Sequence, residues 1–411
     1  MKDKIILIVG TFDTKDDELS YITDCLKAQG GGVRTMDVSV LGDPKSPTDF
    51  TKHDVAEAGG SSIKAAIDSG NENKAMQIMA AGAAALVSRL YSEGVFDAIL
   101  VLGGSMGTDL ALDVTAILPM GVPKYIVSTV SFSALIPPER LAADTQMILW
   151  AGGLYGLNSV CKSSLSQAAG AVLGAARTVE PPQNTKPLIG MTSLGKSALR
   201  YMVPLKPALE KRGYEVAVFH ATGMGGRAFE SLASEGAFAC VMDFCTQELG
   251  NFVHGSRISA GSDRLTGAGR VGTPQMVAPG CYDLVDVVGW EPLPDKWSDH
   301  PTHAHNRLIT SVVLSTDERK QVAAAHGKQL ATATGPTALL LPTGGFGEWD
   351  RPGADLYDPK GLAAFCDAMQ DHTPQNATLH TIDCHINDAA FANKALEIFD
   401  DWVAKGIVER A

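Results

Sequence analysis

Ala98 to Asp113 reads AILVLGGSMGTDLALD, and the change of pattern along it sets the fold class. Ala98 to Leu102 is an unbroken apolar run, as in a parallel strand buried on both faces. Gly103-Gly104-Ser105-Met106-Gly107-Thr108 then places three glycines and two hydroxyls in six residues. Beyond it Leu110, Leu112, Val114 and Ile117 recur among small residues up to Pro119, a helical pattern. Strand, glycine turn and helix in that order bring backbone N–H groups and a helix N-terminus to bear on an anion. Ser105 and Thr108 can cap the helix or bond phosphate oxygens. A tight, capped turn that binds nothing has the same spelling, so the surroundings must decide.

The same alternation runs through the residues on either side. Lys4 to Val9 reads as a buried strand, and Gly10-Thr11-Phe12-Asp13-Thr14-Lys15 leads from it into a helix. Asp16, Asp17 and Glu18 fill the first turn, where negative charge suits the helix dipole. Leu19, Ile22 and Leu26 keep helical spacing until Gly30-Gly31-Gly32 stops it. Val33 to Val40 is the next predicted strand, with Asp37 as a strand-end carboxylate or a ribose partner. Pro44 to Thr51 is a polar, proline-bearing loop with the makings of a lid. Ser61 to Glu93 is mostly helical, Lys124 to Val130 is a strand, and a small-residue helix from Tyr155 to Arg177 closes this half.

Thr178 to Pro187 carries three prolines among polar residues and reads as a linker between domains at 1–180 and 188–411. The plan then restarts. Leu188 to Thr192 is a strand, Ser197 to Arg212 a helix and Tyr214 to Phe219 a strand. His220-Ala221-Thr222-Gly223-Met224-Gly225-Gly226-Arg227 is a second glycine turn opening a helix, and Phe238 to Asp243 a further strand. A glycine-rich stretch follows, then predicted helices at 316–332, 360–369 and 388–404 with strands at 337–341 and 377–382. Two α/β domains, each an open, mainly parallel, Rossmann-like sheet, are expected, with a ligand cleft between them.

Composition narrows the function. With 45% apolar and 19% charged residues the chain buries substantial cores. A net charge of -12 without a basic stripe argues against a nucleic-acid partner. Seven cysteines without CxxC pairing suit reduced core residues, not a disulfide frame or a zinc site. The apolar run ending at Gly10 is too short for a signal peptide or a membrane span, so cytoplasm without membrane contact is the expected setting.

Four stretches can carry chemistry. In the first turn Lys15 can answer a phosphate charge and Asp13 can hold Mg²⁺ through water. Paired with Gly103 to Thr108, that turn makes a nucleotide site of Gly10, Thr11, Asp13, Thr14, Lys15, Gly103, Gly104, Ser105, Gly107 and Thr108. Gly223, Gly225 and Gly226 of the second turn are further backbone candidates, and Arg227 beside them can clamp a carboxylate or phosphate. Gly190 to Ser197 also matches G-x-x-x-x-G-K-S literally, and Phe238 to Asp243 resembles its Mg²⁺-holding strand, although Pro204 and Pro207 crowd the helix that follows. Among Asp299-His300-Pro301-Thr302-His303-Ala304-His305-Asn306 the three histidines lack a metal-ligand spacing, so no metal centre is expected. Finally, His385 with Asp383 or Asp388 is either a general acid–base pair or the cap of the last helix.

One ordered string of motifs resembles a known family. It comprises Gly10 to Lys15, Met36-Asp37-Val38, Leu102 to Thr108, Leu118 to Lys124, Val127-Ser128-Thr129, Phe219 to Ala228 and His385-Ile386-Asn387-Asp388. These resemble the family defined by the ATP-binding domain of the tomato mosaic virus resistance protein, which has many uncharacterised bacterial members. The resemblance covers nearly the whole chain and implies two Rossmann-like subdomains, ATP with Mg²⁺, and a homodimer. It supplies no reaction. This chain departs from the family's pattern at Val130-Ser131-Phe132-Ser133, where an Ala-Ser-Gly-Asp stretch is usual. It departs again at Leu314-Ser315-Thr316, where an arginine is usual, and at Lys196, which the relatives lack, so the literal P-loop match reads as accidental.

An ATP-binding protein is therefore expected. Three classes remain open: an ATP-dependent enzyme on a small carboxylate or sugar acid, with Arg227, His385 and Asp388 as its catalytic groups; a non-catalytic, nucleotide-gated regulator; or a metabolite binder whose nucleotide site is lost.

Overall fold

The computed structural model describes residues 3–153, 155–183 and 185–411, and the chain divides into two compact units at 1–183 and 184–411. In the first unit β1 (Ile5–Gly10), β2 (Gly32–Asp37), β3 (Ala98–Gly103), β4 (Lys124–Ser128) and β5 (Thr145–Leu149) form one sheet in the order β2-β1-β3-β4-β5. Every pairing in it is parallel. The apolar runs of β1 and β3 exist because both faces are covered. Leu7, Val9, Ile99 and Val101 face helices 52–58, 72–92 and 105–116, while Ile6, Ile8, Leu100 and Leu102 face helices 16–28 and 159–178.

Several boundaries move for physical reasons. The last helix of this unit spans Ser159–Thr178, started by Asn158, whose side chain accepts from the Cys161 N–H. Its small residues pack inside the unit against helix 16–28 and the sheet. The 44–51 loop is bonded to its neighbours at the surface: Lys45 pairs with Asp17, and Asp49 holds Arg34 and Thr35.

The second unit repeats the plan. β6 (Leu188–Ser193), β7 (Glu215–His220), β8 (Cys240–Cys245) and β9 (Gln275–Gly280) are joined by β13 (Thr337–Pro342) and β14 (Ala377–Ile382) in an all-parallel sheet ordered β14-β13-β9-β8-β6-β7. Between β9 and β13 the chain adds an antiparallel sheet of β10 (Leu284–Val288), β11 (Thr302–Ala304) and β12 (Ile309–Val313), ordered β10-β12-β11. All seven cysteines are unpaired and five are buried. Among the described residues no helix is long and apolar enough to cross a membrane.

One charged cluster lies wholly inside this second unit. Arg264 has no solvent exposure, and its guanidinium grips Asp243 with two bonds of 2.5 and 2.8 Å, Glu248 at 2.9 Å and Glu230 at 3.0 Å. Three carboxylates around one cation survive burial because each finds further donors. Thr192 donates to Asp243, the Leu265 and Gly267 N–H groups donate to Glu230, and the Gly223 and Gly226 N–H groups donate to Glu248 at 2.6 and 3.0 Å.

Truncating Glu248 strands those two N–H groups and one edge of Arg264. Removing one partner from a buried ion network costs about 3–5 kcal/mol, so Glu248→Ala is expected to lower the melting temperature of this unit by about 10 °C or more in calorimetry. Burial also lifts the Glu248 carboxyl to about 7, partly offset by Arg264. A folded value above the ordinary one means that the folded state holds the proton more tightly. The stability this contributes is full below about pH 4.5 and is lost as pH rises toward 7. Measured against Glu248→Gln, which cannot titrate, the wild-type melting temperature should fall between about pH 5 and 7. A difference that stays constant over that window contradicts the assignment.

Candidate functional site

In an open parallel sheet, neighbouring crossovers leave opposite faces where the strand order reverses, and a crevice opens at the carboxyl ends of the strands there. In the first unit that point lies between β1 and β3, whose carboxyl ends carry the two turns singled out by sequence. A cleft of about 550 Å³ opens there. Thr11, Asp13, Thr14 and Lys15 line one side and Gly103, Gly104, Ser105 and Gly107 another.

The first turn is held from below. The Thr11 carbonyl accepts from the Thr14 and Lys15 N–H groups, and the buried Asp37 accepts from the Phe12 N–H at 3.1 Å and from Ser39. Asp37 is therefore a clamp for the turn and not a ribose ligand. The hydroxyls of Thr11 and Thr14 lie 3.0 Å apart, Asp13 accepts from the Gly42 N–H at 3.1 Å, and the Lys15 ammonium sits 5.3 Å from the centre of the Trp150 ring. Gly10 stands outside the cleft. A Cβ there would come within 2.9 Å of Leu19, so this glycine lets helix 16–28 lie close on β1.

The second turn is built for approach. A Cβ on Gly103 would meet the Gly107 main chain at 2.5 Å, so only glycine permits so tight a turn. A Cβ on Gly104 would have open space around it, its nearest neighbour being the Thr129 hydroxyl at 3.8 Å. Gly104 is the N-cap of helix Ser105–Ala116, and no side chain caps it. The first intrahelical bond runs from Thr108 to the Gly104 carbonyl, so the N–H groups of Ser105, Met106 and Gly107 precede the ladder and border the cleft. Thr108 is buried instead, donating to the Gly104 carbonyl and bonding Ser128.

The third wall carries no motif in the sequence. Val38, Val40, Leu41, Ala66, Ile67 and Met76 bring an apolar surface to the cleft, and Leu41 is 78% exposed. Its one sequence signal was the run of alanine and methionine in the 61–93 helical stretch.

The second glycine turn ends differently. Gly223 takes φ +89°, and a Cβ on Gly226 would fall 1.7 Å from the Glu248 carboxylate. The anion that this helix start invites is the chain's own Glu248. The other sequence candidates are also engaged. Arg227 is buried and its Nη1 donates to both Asp263 carboxylate oxygens, at 2.7 and 2.9 Å. His385 is buried with Nε2 between the Gly347 carbonyl and Asp350, at 2.9 and 3.0 Å. Asp388 is the N-cap residue of helix Ala389–Ala404, and its side chain accepts from the His385 main chain and from Arg351, so the carboxylate bonded to the His385 ring is Asp350 and not the expected Asp383 or Asp388.

The literal P-loop fails on geometry. Gly190 to Ser193 lie in β6, Leu194 bridges back to Ala198, and the helix begins only at Met202, so Lys196 is not at its start. Asp243, the would-be Mg²⁺ ligand, belongs to Arg264. The histidine stretch is divided: His300 bonds the Val313 carbonyl, His303 packs at a tilt against Trp349, and His305 lines a cavity that Trp349 also borders. Among the described residues no group of three or more histidine, cysteine or acidic side chains is placed to hold a metal.

Comparison with known proteins agrees with this two-part plan. Residues 4–181 match the model of the uncharacterised protein family UPF0261 N-terminal domain, and residues 186–403 that of its C-terminal domain. A UPF0261 protein of Brucella melitensis is 54% identical over 98% of this chain and 96% of its own length. One of Clostridium tetani is 34% identical over 95% and 96%. The ToMV resistance protein Tm-1 of Solanum lycopersicum is 29% identical over 96% of this chain, which spans only 55% of that protein. Both halves of the molecule thus follow one family pattern from end to end, and the chain belongs to the uncharacterised UPF0261 family.

Proposed function

We propose that the first unit binds ATP with Mg²⁺. The observation that carries this reading is the meeting of both glycine-bearing turns on one cleft with an uncapped helix start at its edge. N–H groups ahead of a helix ladder suit a phosphate, and Lys15 adds a cation beside them. The volume falls in the range of small-molecule sites. The apolar wall from Val38 to Met76 offers a purine ring a surface that leaves water, while the polar turns take the phosphates. Asp13, with the Thr11 and Thr14 hydroxyls, supplies hard oxygen donors. One carboxylate suffices for Mg²⁺, which keeps most of its waters and shares the rest with phosphate. Bound there, the ion would neutralise phosphate charge.

Arg227, His385 and Asp388 each hold an ion pair within the second unit, and no step is assigned to them.

Gly104→Val puts a side chain where the phosphates would approach, and its Cβ meets nothing closer than 3.8 Å in the protein. The variant is expected to fold, by circular dichroism, and to lose ATP affinity at least about tenfold in calorimetry, about 1.4 kcal/mol or more. Unchanged affinity in the folded variant overturns the site.

Two lysines give opposite forecasts. Lys15→Ala removes a charge-assisted contact worth roughly 1.5–3 kcal/mol and should weaken ATP binding accordingly. Lys196→Ala, in the accidental P-loop match, should leave affinity within about twofold. Titration of both with ATP and Mg²⁺ in one buffer decides. If Lys196→Ala abolishes binding and Lys15→Ala does not, the nucleotide belongs to the second unit.

A further inference from the structure

The second unit keeps a smaller cavity of about 150 Å³, bordered by the residues that follow β6, β7 and β8 and by the antiparallel sheet. Its lining combines polar groups buried in the floor with basic groups at the rim. Gln247 has no solvent exposure, and neither its amide oxygen nor its amide nitrogen makes a hydrogen bond of good geometry, although Asp286 lies beside it. A buried amide left so is costly, and at the wall of a cavity it can be met by a ligand hydroxyl. Asp286 is buried too, with one oxygen held by the Ser311 hydroxyl at 2.6 Å.

At the rim stand Lys196, His220 and His305, all exposed. His220 bonds Thr222 through Nδ1 at 3.1 Å, which leaves Nε2 for another partner. Asn306 spends its amide oxygen on the N–H groups of Leu308 and Ile309 and has its amide nitrogen left to donate.

This arrangement selects among ligands. A carboxylate pressed onto the floor would meet Asp286 and be repelled, whereas at the rim it meets two imidazoles and an ammonium. Hydroxyl groups suit the floor, because they can donate to the Asp286 carboxylate and both donate to and accept from the Gln247 amide. The space equals that of about five water molecules at liquid volume, which limits the ligand to a short chain. We propose that this cavity binds a short hydroxycarboxylate, its carboxylate at Lys196, His220 and His305 and its hydroxyls on Gln247 and Asp286. All of its lining residues belong to the second unit.

Calorimetric titration of the full chain with glycerate, malate and tartrate tests it, with succinate (no hydroxyl) and erythritol (no charge) as controls. At least one hydroxy acid is expected to bind at one site per chain, at least about tenfold more tightly than either control. Lys196→Ala and Gln247→Leu should each weaken it by about tenfold or more, while Lys15→Ala leaves it unchanged. Should Gln247→Leu not fold, His305→Ala, an exposed position, takes its place with the same forecast. The proposal is overturned if all three acids bind the wild type more weakly than about 10 mM, if binding survives the rim and floor substitutions, or if it is lost with Lys15→Ala.

Discussion

The first N–H groups of a helix have no acceptor within the helix, and at the carboxyl end of a parallel strand they collect in one place. Both units of this chain create that demand with a glycine turn, and the two units meet it in opposite ways. In the second, Glu248 reaches in and accepts from Gly223 and Gly226, with Arg264 behind it to offset its charge. In the first, no side chain caps Gly104, and the turn borders a cleft. Much of the surrounding architecture follows from this difference. Asp243 and Glu230 are buried in the second unit as partners of Arg264, and the glycines there admit a carboxylate. In the first unit Asp37 shapes the facing turn from beneath, and Ser39, which accepts from the Asp13 N–H, borders the cleft itself.

The fold was largely legible because parallel strands buried on both faces leave unbroken apolar runs. β3 begins at Ala98 and β14 spans Ala377–Ile382, as the pattern gives them. What escaped had a weaker signature. β5, Thr145–Leu149, is a half-buried edge strand of mixed character, and the antiparallel sheet is built from short strands whose residues read as glycine-rich or histidine-rich loop. Helix 202–211 starts later than its pattern because Leu194 to Ala198 folds back as a bridged turn.

The site was legible in part, and the reason is chemical. Spelling gives a glycine turn and its place on a strand, but the occupant of the helix start is a tertiary matter. Glu248 lies 22 residues beyond Gly226 with no local sign of its role. The same holds for Arg227 and His385, whose reactive look came from residue type alone. Asp263 and Asp350, their actual partners, are distant in sequence. The apolar wall of the first cleft comes from the loop after β2 and from helices 63–68 and 72–92, elements no motif links to a nucleotide.

The central claim is that one glycine turn is open to an external phosphate and the other is filled from within. Hydrogen–deuterium exchange on the full chain, with and without ATP and Mg²⁺, tests it at both places at once. The account predicts nucleotide-dependent protection at residues 11–15 and 103–107 and none at 220–226. Protection at 220–226 with 103–107 unchanged would contradict it.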